Sequence, residues 1–308
     1  MIIKSMTIKN LFQVAIPVIF LASAMPVSAE TGVKIGDTAK AVLKHVKIGN
    51  RNFDVTSYLR RPVGKYTDKD IYPSYDYFVL WHGEDQNSYE FLNVTGLGEV
   101  QTSDRRGAVF LGADMTDLNS SKDAVTYGRV INMLQGRLQE KYPQRKTMYV
   151  AYDLGVADAY HSACGLSIGN VTLSSGGLFE SESCSPKNMK VMYTFNDGDN
   201  IYPVDKDVAF VGDDAYSLKD RIDANSTESK LSSLLQCNTR DATIFKAYGN
   251  IRRSYLCSNG NSLDVIEYHS SDHQWNGYKV ATDGEFNQFG SPNDVKVTNW
   301  MMDIFSMS

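Results

Sequence analysis

TMYVAYDLGVADAYHSAC, residues 147–164, decides the fold. Its first six residues are β-branched, aromatic or apolar, and its remainder is a run of small and apolar residues at helical spacing, so a buried strand turns into a helix across Asp153-Leu154-Gly155. A strand read as one apolar run is covered on both faces, which is the signature of a parallel sheet between layers of helices. The same signature recurs upstream in YDYFVLWHG (75–83) and GAVFLGA (107–113), each stopped by small residues. Between 123 and 141, Val125, Val130, Met133, Leu134 and Leu138 stand at three- and four-residue spacings behind Asp123, which predicts an amphipathic helix. Downstream, NVTLSSGG (170–177), MKVMYTF (189–195) and the segments Thr243 to Lys246 and Leu263 to Tyr268 read as strands, and NDVKVTNWMMDIF (293–305) as a closing helix. At the start, AVLKHVKIGNRNFDVTSYLRRP (41–62) alternates about Gly49-Asn50, a β-hairpin pattern. The expectation is an α/β fold with a mostly parallel central sheet flanked by helices and an N-terminal β-hairpin.

Composition sets bounds on function. The 308 residues are 42% hydrophobic and 22% charged, with net charge −5, so the chain has ample core material and no basic excess for gripping phosphates; nucleic acid is not an expected partner. Lys4 and Lys9 precede an apolar run, Leu11 to Met25, that ends in Val27-Ser28-Ala29, the pattern of a secretory signal peptide over residues 1–29. Residues 30–308 then form one domain with 29 basic and 36 acidic residues and no membrane association once the signal is removed. Export to periplasm or medium allows Cys164, Cys184, Cys237 and Cys257 to pair, and Cys164–Cys184 with Cys237–Cys257 closes two short local loops. No C-x-x-C spacing occurs, and no metal or cofactor is expected. His269 and His273 in YHSSDH are four residues apart beside a strand and make a poor metal pair, while His45 and His161 read as structural or exposed.

In sheets of this kind, ligands bind beyond the carboxyl ends of the strands. The residues there are His82-Gly83, Asp153, Asp199 and His273. LWHGEDQNSYEF (80–91), FNDGDNIYPV (195–204) and SSDHQWNG (270–277) match, in order, the His-Gly loop, the acid segment and the His-Trp closing motif of the secreted polyhydroxybutyrate depolymerases and feruloyl esterases. From about residue 40 onward the chain resembles that family of α/β-hydrolases. The resemblance implies Asp199 as triad acid, His273 as triad base, an oxyanion hole just after His82-Gly83, and Trp275 beside the site. It also implies an ester-like or polymeric ligand.

The nucleophile departs from the family pattern. Aligning residues 151–164 with G-x-S-x-G-G-x-x-A-x-x-x-A-C puts Ala151 at the first glycine, Asp153 at the serine and Gly155 at the second glycine. A literal G-x-S-x-G stands at Gly165 to Gly169, but a helix precedes it and a strand follows, so Ser167 is expected in a connecting loop at the wrong end of the sheet. Glu84 and Asp85 bring further negative charge beside the expected oxyanion hole. Two carboxylates about His273 would favour its imidazolium and disable it as a base near neutral pH. Three readings follow: a hydrolase scaffold with weak or lost serine esterase activity; a hydrolase using Asp153 as nucleophile on an epoxide or other alkyl carbon, with Leu154 where dehalogenases carry a halide-gripping tryptophan; or an interaction protein.

Overall fold

A computed structural model describes residues 38–48, 51–60, 74–83, 88–97, 106–113, 121–140, 142–205, 221–247, 249–269, 275, 280–282, 285–287 and 297–306. The segment read as a signal peptide, the turn at Gly49-Asn50, Glu84, Asp85 and His273 lie outside them.

The strands are β1 (Thr38–Ile48), β2 (Arg51–Arg60), β3 (Ser74–Trp81), β4 (Arg106–Ala113), β5 (Gln144–Tyr152), β6 (Asn170–Ser174), β7 (Lys190–Asn196), β8 (Thr243–Ala247), β9 (Asn250–Leu256) and β10 (Ser262–Tyr268). They form one sheet in the order β1-β2-β4-β3-β5-β6-β7-β10-β9-β8. The six from β4 to β10 are parallel. β1 and β2 add an antiparallel edge in which Ile48 pairs with Arg51, as expected of a hairpin. The helices are α1 (Ser88–Thr95), α2 (Ser121–Gln139), α3 (Gly155–Gly165), α4 (Ala224–Leu234) and α5 (Val297–Ser306). A separate ribbon joins β11 (Val280–Thr282) to β12 (Glu285–Asn287). None of the described helices is long and apolar enough to cross a membrane.

The apolar runs explain the layers. In β3, Tyr77, Val79 and Trp81 point into a core shared with Val130, Ile131 and Leu134 of α2 and with Ala159, Tyr160 and Ala163 of α3. The intervening Phe78 and Leu80 point the other way, onto Phe91 of α1 and Met301 and Phe305 of α5. Period-2 side chains on one strand thus feed two cores, each fully buried side chain contributing about 1.5–3 kcal/mol. Tyr77, Tyr149, Tyr160, Tyr193, Tyr202 and Tyr268 are among the largest fully buried side chains. Three of them donate their hydroxyls to backbone carbonyls: Tyr77 to Tyr142 at 2.7 Å, Tyr160 to Cys184 at 3.2 Å and Tyr193 to Gly176 at 3.1 Å. Burial pushes all six phenols far above the ordinary tyrosine range.

Both disulfides join the expected partners, Cys164 with Cys184 and Cys237 with Cys257. The first ties the end of α3 to the loop after β6; the second ties the chain leaving α4 to the end of β9. β9 has no counterpart in the apolar pattern. It turns out of β8 at Gly249 (φ 83°), and its central residues are charged: Arg252 bonds Asp264 at 2.7 Å, while Arg253 bonds Glu228 and Glu267, each at 2.7 Å. A strand held by ion pairs lacks the apolar signature by which the others were read.

Candidate active site

The centre of the site is the turn from β5 into α3. Asp153 occupies it with φ 54°, the left-handed region that a non-glycine residue enters at a cost of about 1–3 kcal/mol. Its N–H donates to the Ser174 carbonyl at 3.1 Å and its carbonyl accepts from the Val156 N–H at 3.1 Å, so both neighbours hold it there. Glycines allow the crowding. A Cβ on Gly155 would lie 2.4 Å from the Trp81 carbonyl oxygen, and one on Gly176 would lie 2.2 Å from the Asp153 carbonyl oxygen. A central parallel strand, a left-handed residue at a sharp tip and a helix starting two residues later have the strand–turn–helix geometry of a nucleophile elbow. It stands in the middle of a parallel sheet with an antiparallel first edge. The chain has the α/β-hydrolase fold.

In this α/β-hydrolase frame, His82 and Gly83 follow β3, whose Trp81 is in register with Ala151 of β5. The Asp153 carboxylate lies directly over Gly83: a Cβ there would come within 2.4 Å of Asp153 Oδ2. His82 is buried and its Nδ1 is 2.8 Å from the Gly83 carbonyl oxygen, to which the ring N–H donates. Leu154 is half-buried and packs on Tyr202. Its carbonyl accepts from Arg221 Nη2 at 3.2 Å, and that guanidinium also pairs with Asp158 at 3.3 Å and lies 3.8 Å over the Phe179 ring.

Asp199 is buried in the turn after β7. Its Oδ1 accepts from the N–H groups of Ile201 at 2.8 Å and Tyr202 at 3.0 Å, which fix the carboxylate's direction. Trp275 is fully buried, edge-on to Phe91 at 5.8 Å and Tyr152 at 6.5 Å, and its indole N–H donates to Thr298 at 3.2 Å. Two phenols that the sequence reading did not single out belong to the same neighbourhood. Tyr152 is raised well above the usual tyrosine range by burial, then by the charges of Asp153 and Asp199. Tyr202 is raised by burial, then by Asp153, with Arg221 opposing and Asp199 adding. Both stay in the neutral, protonated form. Their signal lay only in adjacency, Tyr152 next to Asp153 and Tyr202 three residues after Asp199.

Ser167 lies at the other end of the sheet, in the connection between α3 and β6, with φ 57° and its N–H donating to the Cys164 carbonyl at 3.3 Å. It lines a cleft of about 580 Å³, and the described residues that line it include neither histidine nor carboxylate. A second feature had gone unread: Asp197 and His269 directly follow the neighbouring strands β7 and β10, and their side chains meet at 2.6 Å. The hydrogen bond and the negative charge of Asp197 raise the exposed imidazole above the ordinary histidine value. The pairing depends on β7 lying beside β10, a crossover that neither segment reveals alone. Among the described residues no three His, Cys, Asp or Glu side chains gather as a metal site.

No protein-family profile matches the sequence, and no curated protein is detectably similar to it. Solved structures do resemble it in shape. The siderophore hydrolase EstA from Aspergillus nidulans has 10% identity and a TM-score of 0.47 over 93% of this chain and 100% of its own. An α/β serine hydrolase homologue from Coxiella burnetii has 9% identity and a TM-score of 0.44 over 78% and 92%. Est1E from Butyrivibrio proteoclasticus has 9% identity and a TM-score of 0.41 over 76% and 90%. Likeness at this level says nothing of what this chain acts on.

Proposed function

We propose that this is an exported α/β-hydrolase-fold protein of esterase lineage, similar to the polyhydroxybutyrate depolymerases and feruloyl esterases, in which serine ester hydrolysis has been lost at the elbow. The observation that carries the reading is left-handed Asp153 at the turn from β5 into α3, its carboxylate pressed against Gly83. Ester hydrolysis develops an oxyanion that backbone donors at that place must stabilise. A fixed carboxylate a few ångströms away opposes it by roughly 1 to 4 kcal/mol, depending on how far water penetrates. The chemistry points the same way. Carboxylate attack on an ester gives a tetrahedral adduct from which the carboxylate leaves more readily than the alkoxide, so the adduct reverts. An ester-like or polymeric ligand would bind at the carboxyl ends of the strands, where such sheets take their ligands. The two disulfides favour an oxidising compartment, periplasm or medium.

The test is hydrolysis of p-nitrophenyl butyrate. Wild type is expected at the buffer rate, and Asp153→Ser at least about tenfold above it, with the gain lost on adding His273→Ala. Wild-type turnover abolished by Ser167→Ala would overturn the reading.

A second reading, in which Asp153 attacks an epoxide carbon, is favoured by two buried phenols, Tyr152 and Tyr202, whose neutral form burial and the Asp153 charge both support. An Asp153 oxygen would form the new C–O bond, the ring C–O bond would break, and the alkoxide would take a phenolic proton. Water would then cleave the Asp153 ester. Release of a diol from styrene oxide by wild type but not by Asp153→Asn would establish this reading in place of the first.

A further inference from the structure

The chain contains Asn-x-Ser/Thr triplets at Asn93, Asn119, Asn170 and Asn225. In an exported chain this is the acceptor pattern of N-glycosylation, in which the asparagine takes the sugar and the hydroxyl two residues on is read by the transferase. The structure separates the triplets. Asn170 is half-buried in β6, which pairs with strands on both sides, and its Nδ2 donates to the Thr147 carbonyl at 3.3 Å. Asn93 lies within α1 behind the buried Phe91 and Leu92, and Asn119 lies outside the described residues. Asn225 stands exposed in the first turn of α4, and no hydrogen bond to another described residue engages its carboxamide. It also carries Asp223 two residues before it, in Asp223-Ala224-Asn225-Ser226-Thr227. The transferases of the bacterial periplasm demand an acid at that place as well as the hydroxyl.

The fold accounts for the residues around Asn225 and leaves Asn225 itself without a structural task. Asp223 caps α4, accepting from the Ser226 N–H at 2.7 Å and the Ser226 hydroxyl at 2.7 Å. Thr227 is fully buried; its Oγ1 accepts from the Leu178 N–H at 3.2 Å and donates to the Ile222 carbonyl at 3.4 Å. The Asn225 backbone N–H is spent on the Val204 carbonyl at 3.0 Å, a bond any residue but proline could make. Asparagine is a poor helix former, so an exposed helical position that asks nothing of its side chain does not call for one.

We propose that Asn225 is an N-glycan acceptor of the acid-requiring, periplasmic kind; this rests on the export proposed above and on nothing at the elbow. The co-substrate is an oligosaccharide joined to a lipid pyrophosphate. Asn225 Nδ2 forms the new bond to the anomeric carbon, the bond from that carbon to the pyrophosphate oxygen breaks, and the amide proton lost from Nδ2 leaves with the lipid pyrophosphate. Because Thr227 is buried in the folded protein, transfer precedes the docking of α4. The glycan then projects into solvent without displacing any core side chain.

Expression of the full chain in a bacterium whose periplasm holds such a transferase and its lipid-linked oligosaccharide, followed by mass spectrometry of the tryptic peptide Ile222–Lys230, tests the proposal. The peptide should carry the glycan in wild type and lose it in Asn225→Gln and in Asp223→Asn. Asp223→Asn is the decisive variant, since asparagine caps a helix as well as aspartate does and only the acid is removed. The N-terminal peptide reports export separately, through a chain that begins at Glu30. If residues 1–29 do not direct export, the same chain behind an established periplasmic leader decides the modification. An exported wild-type chain with Asn225 unmodified, or equal modification of wild type and Asp223→Asn, would overturn the proposal.

Discussion

Replacing Gly155 with alanine sets two physical effects against each other. Gly155 opens α3, and helix propensity alone favours alanine there by about 1 kcal/mol. The new methyl carbon, however, would sit 2.4 Å from the Trp81 carbonyl oxygen, 2.7 Å from its carbon and 2.8 Å from the His82 carbonyl oxygen. All three are backbone atoms at the end of a central strand, so no side chain can swing aside. The helix must move by most of an ångström, and overpacking of this kind costs about 3 kcal/mol. The net expectation is destabilisation by about 2 kcal/mol, a Tm lower by about 5 °C. Gly136→Ala is the matched control: it lies within α2, its Cβ meets nothing within 4 Å, and it should raise Tm by about 2 °C. Thermal unfolding of the two variants beside wild type gives the comparison. A Gly155→Ala protein with a Tm at or above wild type would refute the close packing of the elbow against β3.

Other outcomes follow from the same structure. Replacing Cys164 and Cys184 together by serine should cost about 3 kcal/mol, the loop-entropy value for a bridge spanning 20 residues, measured by urea unfolding of the oxidised proteins. His161 Nδ1 meets Glu182 Oε2 at 2.8 Å, and the hydrogen bond to Glu182 raises the imidazole against the opposing effect of burial. For Glu182, burial acts upward, but the bonds from His161, Cys184 and Ser183 outweigh it and hold the carboxyl below its ordinary value. The His161 contribution is full below about pH 6.5 and fades as pH rises through the raised value; the Glu182 contribution is full above about pH 4.5 and fades as pH falls through the lowered one. The pair therefore contributes most between those limits, and His161→Gln should flatten the stability profile on the alkaline side, read as Tm against pH. For the exposed His269, NMR titration should show a pKa above 6.5 that Asp197→Asn brings back toward it.

Much of the fold was written in local pattern. Residues 75–83, 107–113 and 147–152 announced themselves because strands buried on both faces need apolar residues at every position, and the elbow because a strand, a tight turn and a small-residue helix are contiguous. β9 was illegible for the opposite reason: its Arg252 and Arg253 are satisfied by acids on α4 and β10, which only the folded chain brings near. The sequence pattern indicated strand ends and not neighbours. Asp153 and Asp199 could be read as following buried strands, but the arrival of Tyr202 beside Asp153, and of Asp197 against His269, depends on the crossover order of the sheet.

The buried tyrosines give the protein an optical property. A phenol absorbs near 295 nm only when ionised, and exposed tyrosines ionise near pH 10, whereas Tyr77, Tyr149, Tyr160, Tyr193, Tyr202 and Tyr268 are locked in the neutral form by the surrounding core. Alkaline absorbance should therefore rise in two stages, a reversible one from surface phenols and an abrupt one when the sheet opens. These six side chains sit on strands β3, β5, β7 and β10, on helix α3 and beside Asp199, so the second stage reports the integrity of the central sheet and of the elbow together, without any added label.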